Sequence, residues 1–523
     1  MTLLGCVHIF IFFLMCWKTN GFVELDNRKE FLITESAKMD LMQLDTELIS
    51  NLKKYAEKVE EKVEKLQRLV REIRQPLEAA KGIEEEYMGN PLHSFPLIRH
   101  MYQDWKYLEE FMKKPVGEEQ IDFLKKKLPE LPWQADTDEA TAAMFRIAET
   151  YGMEPWEMAK GLIDNVQYKS TLSALDCFQI AKMYFKWGYF KKSFEWLKNT
   201  KSRMKRLYSD VHEVLGVTHK DVALLQTRCL MELGLKDQAK EVLLTQPDLA
   251  ENATDLLAQF ESNPFKANDL SPILPDYYKE LCRSSFVPKP SRLHCRYNTT
   301  TSAFLILAPL KMEEISLEPY IVVYHDILPD KDIEQLKRLA EPKLKPTQVF
   351  KNEIGTVSSG RTALGVFLPY KNMDPKGGPL LDRLTQRLRD ITGLKVHDRF
   401  PVNVIKYGFG AHYASHYDYY NESNSDTKVL GDRIATAIFY LNDVPHGGAT
   451  IFPWVKIKVP AERGKVLFWY NLNGETHDVE QKTLHAACPV FGGSKWAMAA
   501  WIHEWDQMFI QPVYYKGNQT FME

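Results

Sequence analysis

Cysteine is scarce in this chain, and no two cysteines are spaced as a CxxC pair. The 523 residues hold seven cysteines. Their scarcity excludes a disulfide-rich miniature scaffold, and the missing CxxC pair excludes zinc-ribbon and thioredoxin-type sites. A strong charge of either sign is also lacking, because the formal net charge is only −3. The composition therefore gives no indication of a nucleic-acid or polyanion partner.

Long apolar runs are absent after the first 17 residues, so no stable membrane span is expected. Residues 3–17 form an apolar run that is shorter than a bilayer requires, and the sequence becomes polar at Lys18. This pattern predicts a signal peptide over residues 1–21 and a secreted or endoplasmic reticulum protein. A signal anchor is the alternative, since no Lys or Arg precedes the run. The last residues do not form a KDEL-type retention signal.

Features of secreted proteins recur along the chain. Cys282 and Cys295 are close in sequence and flank a proline-containing stretch, which predicts a disulfide within a linker over residues 261–315. Four triplets have the form of N-glycosylation acceptors, at Asn252, Asn298, Asn421 and Asn518. Such triplets also arise by chance in a chain of this length.

Residues 22–137 are predicted to form a helical domain. Apolar side chains recur at steps of three and four, with Glu, Lys and Arg between them, and Pro76 is expected to end or kink the helix. The pattern favours a coiled coil that mediates self-association; the alternative is one amphipathic helix packed on its own domain. A second helical block is expected at residues 95–112. The stripe consists of Leu41, Leu44, Leu48, Leu52, Tyr55, Val59, Val63, Leu66, Val70 and Ile73.

Residues 138–260 are predicted to form a second helical domain that resembles tetratricopeptide repeats. Two segments, at 181–194 and 229–239, share a helix that ends near glycine and a small residue inside the following helix. The alternative is a plain pair of helical hairpins. Stacked helix pairs form grooves that bind extended peptides. Phe185 and Tyr189 are candidate groove residues.

From about residue 316 to 523 short strands replace long helices. Apolar segments such as 402–407, 434–441 and 496–502 are separated by glycine-rich turns. This predicts a double-stranded β-helix, or jelly roll. The fold class is therefore multidomain α + β, with a helical N-terminal half and a C-terminal jelly roll.

The spacing of His416 and Asp418 is the strongest chemical signal in the sequence. Residues i and i+2 of a strand project to the same side, so both can face one ion. A second histidine would complete the two-histidine, one-carboxylate triad of non-haem Fe(II) oxygenases. His485 is favoured over His446 and His477 because it opens a small-residue segment and has a lysine ten residues later.

That lysine, Lys495, precedes an unbroken apolar strand. A lysine near a Gly-Gly turn is usually solvated, but one directed inward would need a counter-charge. The distal carboxylate of a dicarboxylate such as 2-oxoglutarate would supply it. The pattern therefore predicts an oxygen-activating hydroxylase.

Residues 320–505 closely resemble the catalytic domain of collagen prolyl 4-hydroxylase alpha subunits. The N-terminal half also resembles that family in the order and size of its parts. The segments that carry the resemblance are YHDI at 324–327, HYD at 416–418, RIAT at 433–436, GGATIFP at 447–453, FWYNL at 468–472, HAACPV at 485–490, GSKW at 493–496 and WIHE at 501–504.

The resemblance implies the reaction, its cofactors and its partners. His416, Asp418 and His485 would bind Fe(II), Lys495 would pair with 2-oxoglutarate, and His503 would support the 2-oxoglutarate site. A peptidyl proline would be hydroxylated at C4, with succinate and CO2 released and ascorbate rescuing oxidised iron. The family assembles as two alpha subunits with two protein disulfide isomerase (beta) subunits in the endoplasmic reticulum lumen.

Two departures from the family pattern matter. No cysteine follows Cys488, so the bridge that the family makes between this position and a C-terminal cysteine is absent. The second repeat has Leu225, Arg228 and Met231 where groove tyrosines are expected. Two substrate classes therefore stay open: collagen-like chains and another secreted proline-bearing chain. The alternatives to a prolyl hydroxylase are a non-catalytic peptide-binding or assembly subunit and a lysyl hydroxylase.

Overall fold

The computed structural model describes most of the chain outside its two termini. The expected signal peptide, Asn421 and Asn518 lie outside the described residues. None of the helices described is both long enough and apolar enough to cross a membrane. The described residues are 35–163, 166–207, 211–265, 274–284, 292–351, 354–357, 360–368, 378–396, 401–420, 430–473 and 478–507.

The chain divides into two compact units after Trp133. The first unit is helical. Its long helix continues past Pro76 to Ala80, so Pro76 does not end it. Proline removes only one N–H donor from the helical hydrogen bonds, and the bonds on both sides of it keep the helix continuous. The later helices pack back on this helix: the Asn51 amide donates to Gln120 O at 2.9 Å and Lys62 Nζ to Met112 O at 2.9 Å. The helices are α1 (Glu35–Ala80), α2 (Glu84–Gly89), α3 (Pro91–Lys113) and α4 (Glu118–Lys127).

The second unit begins with helices that pack in pairs. Gly188 and Gly234 occupy the turns of two successive pairs with φ of +80° and +75°, a conformation that favours glycine. Ser193 Oγ donates to Ala181 O at 2.8 Å inside the first pair. The helices are α5 (Gln134–Tyr151), α6 (Pro155–Ala159), α7 (Ala174–Lys186), α8 (Phe190–Leu207), α9 (Val211–Val214), α10 (His219–Glu232), α11 (Lys236–Leu244), α12 (Pro247–Ala250), α13 (Ala253–Ser262) and α14 (Asp276–Arg283).

The second unit also contains strands, of which the first two lie between α6 and α7 and the others follow α14, and two further helices, α15 (Asp330–Ala340) and α16 (Gly378–Thr392). The strands are β1 (Leu162–Ile163), β2 (Val166–Gln167), β3 (Cys295–Asn298), β4 (Leu310–Leu317), β5 (Tyr320–His325), β6 (Lys345–Pro346), β7 (Gln348–Lys351), β8 (Ile354–Val357), β9 (Leu364–Leu368), β10 (Val402–Tyr407), β11 (Tyr413–His416), β12 (Arg433–Tyr440), β13 (His446–Gly447), β14 (Thr450–Phe452), β15 (Ile457–Val459), β16 (Val466–Tyr470), β17 (His485–Ala487), β18 (Val490–Gly492) and β19 (Lys495–His503).

Two antiparallel sheets face each other. The major sheet has the order β3-β4-β5-β16-β12-β19-β10-β9-β6, and the minor sheet the order β11-β17-β14-β15. Strand alternation sorts the side chains: Leu467 and Trp469 pack toward the minor sheet, whereas Val466 and Phe468 pack in the core that includes α15 and α16. The predicted helical N-terminal half and sheet-rich C-terminal region are confirmed, and the facing sheets agree with a jelly roll.

Two predictions about modified side chains are wrong in the folded structure. Cys282 pairs with Cys488, not with Cys295. The reason is that Cys282 lies on α14 against the minor sheet, whereas Cys295 is an exposed free thiol on β3 at the edge of the major sheet. Asn298 is buried, and its amide donates to Thr301 Oγ1 at 2.9 Å, which leaves no room for a glycan. Asn252 is exposed.

The Cys282–Cys488 bridge joins positions 206 residues apart, so it should restrict the unfolded chain strongly. Replacing both cysteines by serine should lower the free energy of unfolding by about 2–4 kcal/mol, measured by chemical denaturation. C295S is the matched control and should leave stability within about 0.5 kcal/mol of the wild type. Peptide mapping without reductant that recovers a 282–295 crosslink would contradict the assignment.

Candidate metal centre

The minor sheet brings together the three side chains that the sequence predicts as iron ligands. His416 ends β11, His485 begins β17, and the two residues lie directly opposite each other in the antiparallel ladder. Asp418 follows β11 by two residues. One ligand atom from each side chain lies within 4.8 Å of the other two, a separation that one metal ion can bridge. The arrangement matches the facial triad that suits Fe(II).

Backbone carbonyls orient both imidazole rings. His416 Nδ1 lies 2.8 Å from Ala414 O, and His485 Nδ1 lies 3.0 Å from Thr483 O. Because a carbonyl only accepts, each Nδ1 carries the proton and each Nε2 keeps its lone pair. Both Nε2 atoms lie 3.6 Å from the Asp418 carboxylate, His416 from Oδ1 and His485 from Oδ2. The lone pairs and the carboxylate thus face one point.

The electrostatics of the centre favour metal-binding protonation states. Burial, and then the neighbouring His416, lower the pKa of His485 to about 4, so this imidazole is neutral at pH 7. Burial alone would raise the pKa of Asp418, but His485, His416 and Arg433 outweigh it and hold the pKa below its ordinary value. A buried carboxylate and a buried neutral imidazole are the donors that a divalent cation requires.

A chain of buried hydrogen bonds fixes the carboxylate. Thr436 Oγ1 donates to Asp418 Oδ2 at 2.9 Å. The Asn471 amide donates to Thr436 Oγ1 at 2.9 Å, and Trp469 Nε1 donates to Asn471 Oδ1 at 2.8 Å. These partners lie on the two central strands β12 and β16 or directly after β16. The major sheet therefore orients a ligand that follows a strand of the minor sheet.

Aromatic rings enclose the two histidines. Tyr413 stacks on His416 with ring centroids 3.6 Å apart. Trp469 meets the His485 ring edge-on at 4.7 Å, and Phe452 lies 5.8 Å away. The rings limit water and lower the local dielectric, which strengthens electrostatic interactions at the centre.

Lys495 lies on the inner face of the major sheet, as the sequence predicts. Its side chain is buried, and its Nζ lies 5.3 Å from the Tyr407 ring centre and 5.5 Å from that of Tyr440. Burial lowers the pKa of Lys495 to about 7. Within the described ranges no carboxylate lies within ion-pair distance of this ammonium. An unpaired buried cation is costly, so the position suits an anionic ligand.

The remaining predicted residues lie in different places. His503 is buried at the opposite end of β19 from Lys495, paired in register with Arg433, and its supporting role stays a prediction. Phe185 packs against Phe190 and Phe265 in the helical region. Tyr189 packs against Phe145, and both Phe185 and Tyr189 are partly buried at the edge of the same helical core, so their groove role stays a prediction.

Sequence reasoning did not assign a role to Arg433, although the structure places it beside the metal centre. Its guanidinium lies 4.1 Å from the ring centre of Tyr420 and 4.0 Å from that of Trp501. Arg361 similarly lies 4.6 Å from the ring of Tyr413. The available signal was an arginine at the start of an apolar strand, because a charged side chain that is directed toward a core is rare unless it has a partner.

Comparison with known proteins places the chain in a family. Residues 34–165 match the prolyl 4-hydroxylase alpha-subunit N-terminal region, and residues 402–503 match the 2OG-Fe(II) oxygenase superfamily. The prolyl 4-hydroxylase subunit alpha-1 of Rattus norvegicus is 30% identical over 507 residues, which cover 90% of this chain and 93% of the relative. The chain belongs to the prolyl 4-hydroxylase alpha-subunit family.

Other family members give the same picture. Subunit alpha-2 of Gallus gallus is 27% identical, covering 94% of this chain and 97% of the relative. Subunit alpha-3 of Homo sapiens is 30% identical, covering 81% of this chain and 84% of the relative.

Among solved structures, one similar chain is the viral collagen prolyl hydroxylase of Paramecium Bursaria Chlorella virus-1 in its 2OG complex. It is 23% identical, and the match covers 36% of this chain and 98% of that chain with a TM-score of 0.29.

Removing one ligand should abolish tight metal binding, because a divalent ion keeps its affinity only while all three protein donors face it. D418A and H485A should each weaken Mn(II) binding more than about 100-fold, measured by titration calorimetry on the full chain. H325A is the control, since His325 pairs with Glu313 on the other sheet. Retained affinity in D418A would contradict the assigned centre.

Proposed function

We propose that this protein hydroxylates peptidyl proline at C4, with Fe(II) as cofactor and O2 and 2-oxoglutarate as co-substrates. The observation that carries the proposal is the His416–Asp418–His485 triad, which lies in one sandwich with the buried cation Lys495. When bound, Fe(II) supplies the chemistry that reduces O2, converts 2-oxoglutarate to succinate and CO2, and oxidises the proline C–H bond. An intact triad disfavours a purely structural subunit.

The protein's own side chains hold the reactants. The two Nε2 atoms and the Asp418 carboxylate would hold the metal on one face and leave the opposite face open. Lys495 would pair with the distal carboxylate of 2-oxoglutarate, and the two aromatic rings beside it would exclude water from that pair. Ascorbate is expected as the reductant that keeps the iron ferrous. His503 is proposed to support the 2-oxoglutarate site from the far end of β19.

The residues around Arg433 are proposed to receive the proline. Tyr413, Trp501 and Tyr420 present aromatic rings, on which a pyrrolidine ring packs well. The guanidinium of Arg433 would donate to a carbonyl of the substrate backbone. This wall adjoins the triad through the contact between Tyr413 and His416.

The helix pairs are proposed to bind the extended substrate as tetratricopeptide-like repeats. Phe185, Phe190 and Phe265 form an aromatic cluster with ring centroids 5.0 to 5.3 Å apart. Arg228 adds a cation 6.0 Å from the Phe185 ring centre. Proline-rich chains dock on aromatic surfaces, so collagen-like chains are the proposed substrates and other secreted proline-bearing chains the alternative.

Assembly and location are also proposals. The stripe of α1 leaves Leu52, Val63 and Val70 exposed by 66%, 44% and 52%, which supports self-association as a coiled coil. With protein disulfide isomerase as the beta subunit, the assembly would be a tetramer. The expected signal peptide would deliver the chain to the endoplasmic reticulum lumen, where Asn252 is accessible for glycosylation.

The substrate is tested by mass spectrometry of two peptides. The co-expressed complex is incubated with Fe(II), 2-oxoglutarate and ascorbate, together with either a (Pro-Pro-Gly) repeat peptide or a non-collagen proline peptide. We expect a gain of one oxygen on proline in the repeat peptide, and no gain with the D418A variant. Oxygen incorporated on the non-collagen peptide alone would change the substrate assignment. Absence of oxygen in both, with a metal-loaded enzyme, would contradict the proposed function.

Lys495 should determine the 2-oxoglutarate requirement. K495A should raise the KM for 2-oxoglutarate about 10- to 100-fold while leaving Mn(II) affinity unchanged, because a desolvated charge pair contributes roughly 1.5–3 kcal/mol. K406M is a matched control: Lys406 is equally buried, but it faces the other side of β10 and pairs with Glu341 at 3.2 Å. An unaltered KM in K495A would contradict the assignment.

A further inference from the structure

Helix α14 lies across the outer face of the minor sheet, behind the metal centre. Tyr278 and Cys282 are buried in one cluster with the sheet residues Ile451, Ala486 and Cys488. Strand alternation makes this contact informative: His485 and Ala487 point inward, and Ala486 between them points outward onto the helix. The helix therefore packs directly on the strand that carries a metal ligand.

Polar and covalent contacts tie the helical layer to the same short segment. Tyr278 Oη donates to Ala487 O at 2.9 Å, two residues from His485. Tyr151 Oη, on α5, donates to Pro489 O at 2.6 Å. The Cys282–Cys488 bridge lies between these two attachment points. Three consecutive residues, 487 to 489, are thus each held by a different side chain from the helices.

The helix is itself anchored at both ends. Lys458 Nζ, on β15, donates to Cys282 O at 2.7 Å and Ser284 O at 2.6 Å, which satisfies carbonyls at the helix C-terminus. Tyr277 Oη lies 3.4 Å from Ser415 Oγ, beside the other ligand-bearing strand. Helix α14 therefore contacts both strands whose terminal residues are histidine ligands.

Strand β17 has only three residues, His485–Ala487, so few backbone pairs set its position. It makes two pairs with β11, Tyr413 with Ala487 and His416 with His485, and two pairs with β14. A small shift of the strand would move the lone pair of His485 away from the point shared with Asp418. Metal affinity depends on the groups that orient the ligands nearly as much as on the ligands.

We propose that Tyr278, Tyr151 and the Cys282–Cys488 bridge are positioning elements of the metal centre, which act by holding the strand that carries His485. The helices α5 and α14, which precede the sandwich, would then help to orient a metal ligand, in addition to any role of the helical region in binding substrate. This inference rests on the proposed function, because it assumes that the triad binds a divalent metal.

The test compares two tyrosine variants of the full chain. Y278F removes the hydroxyl that binds Ala487 O. Y324F removes an equally buried hydroxyl, which donates to Ile391 O at 3.0 Å in the core that includes the two outer helices, away from the metal. Both variants lose a buried tyrosine–carbonyl hydrogen bond and should lose similar thermal stability. Only Y278F should weaken Co(II) binding, about tenfold, and alter the visible absorption bands that report cobalt coordination.

The outcomes separate the two hypotheses. A wild-type chain that binds no Co(II) contradicts the proposed function. A wild-type chain that binds Co(II), with Y278F equal to Y324F in affinity and spectrum, overturns only the positioning role. If Y278F does not fold, Y151F is measured in the same way. Wild-type affinity and spectrum in Y151F would then overturn the proposal, and weakened binding would support it.

Discussion

The direct pairing of His416 with His485 across β11 and β17 is the constraint on which the metal centre depends. Residues that face each other in an antiparallel ladder project to the same side, so one register brings two imidazoles from positions 69 apart in sequence to one point. A slip of one residue would turn one ring to the outer face. The carbonyls that accept from both Nδ1 atoms then fix the Nδ1–H tautomer, which leaves both Nε2 lone pairs available to a metal ion.

Charged side chains inside the sandwich explain the chemistry of the site. Asp418 and Lys495 are buried and Arg433 is partly buried, and each charge is accommodated differently. The carboxylate accepts from Thr436 and faces two imidazoles. The guanidinium lies between aromatic rings. The ammonium has rings beside it and, in the described part of the chain, no carboxylate within reach, which is the arrangement expected of a site whose counter-ion is a ligand.

The helical layer of the second unit supports the metal centre. Its helices pack in pairs, and its last helix packs behind the ligand-bearing strands. Arg146 of α5 donates to Gly410 O at 2.9 Å, a further attachment from helix to sandwich. The helices that precede the sandwich are therefore part of its support.

The sequence by itself indicated the helical N-terminal half, the sheet-rich C-terminal region, the His416–Asp418 pair and the inward lysine, because these depend on local features: strand alternation, an i and i+2 spacing, and a charge beside an apolar run. It also favoured His485 as the third ligand, but only the register of β11 and β17 brings that histidine to the pair. It did not determine the disulfide partner of Cys282, the burial of Asn298 or the place of Arg433. Each of these depends on which elements meet across long separations. Proximity in sequence favoured Cys295, but the packing of α14 on the minor sheet brought Cys282 to Cys488. Only tertiary structure decides such contacts, since they are set by the packing of whole faces of helices and sheets and not by local propensity.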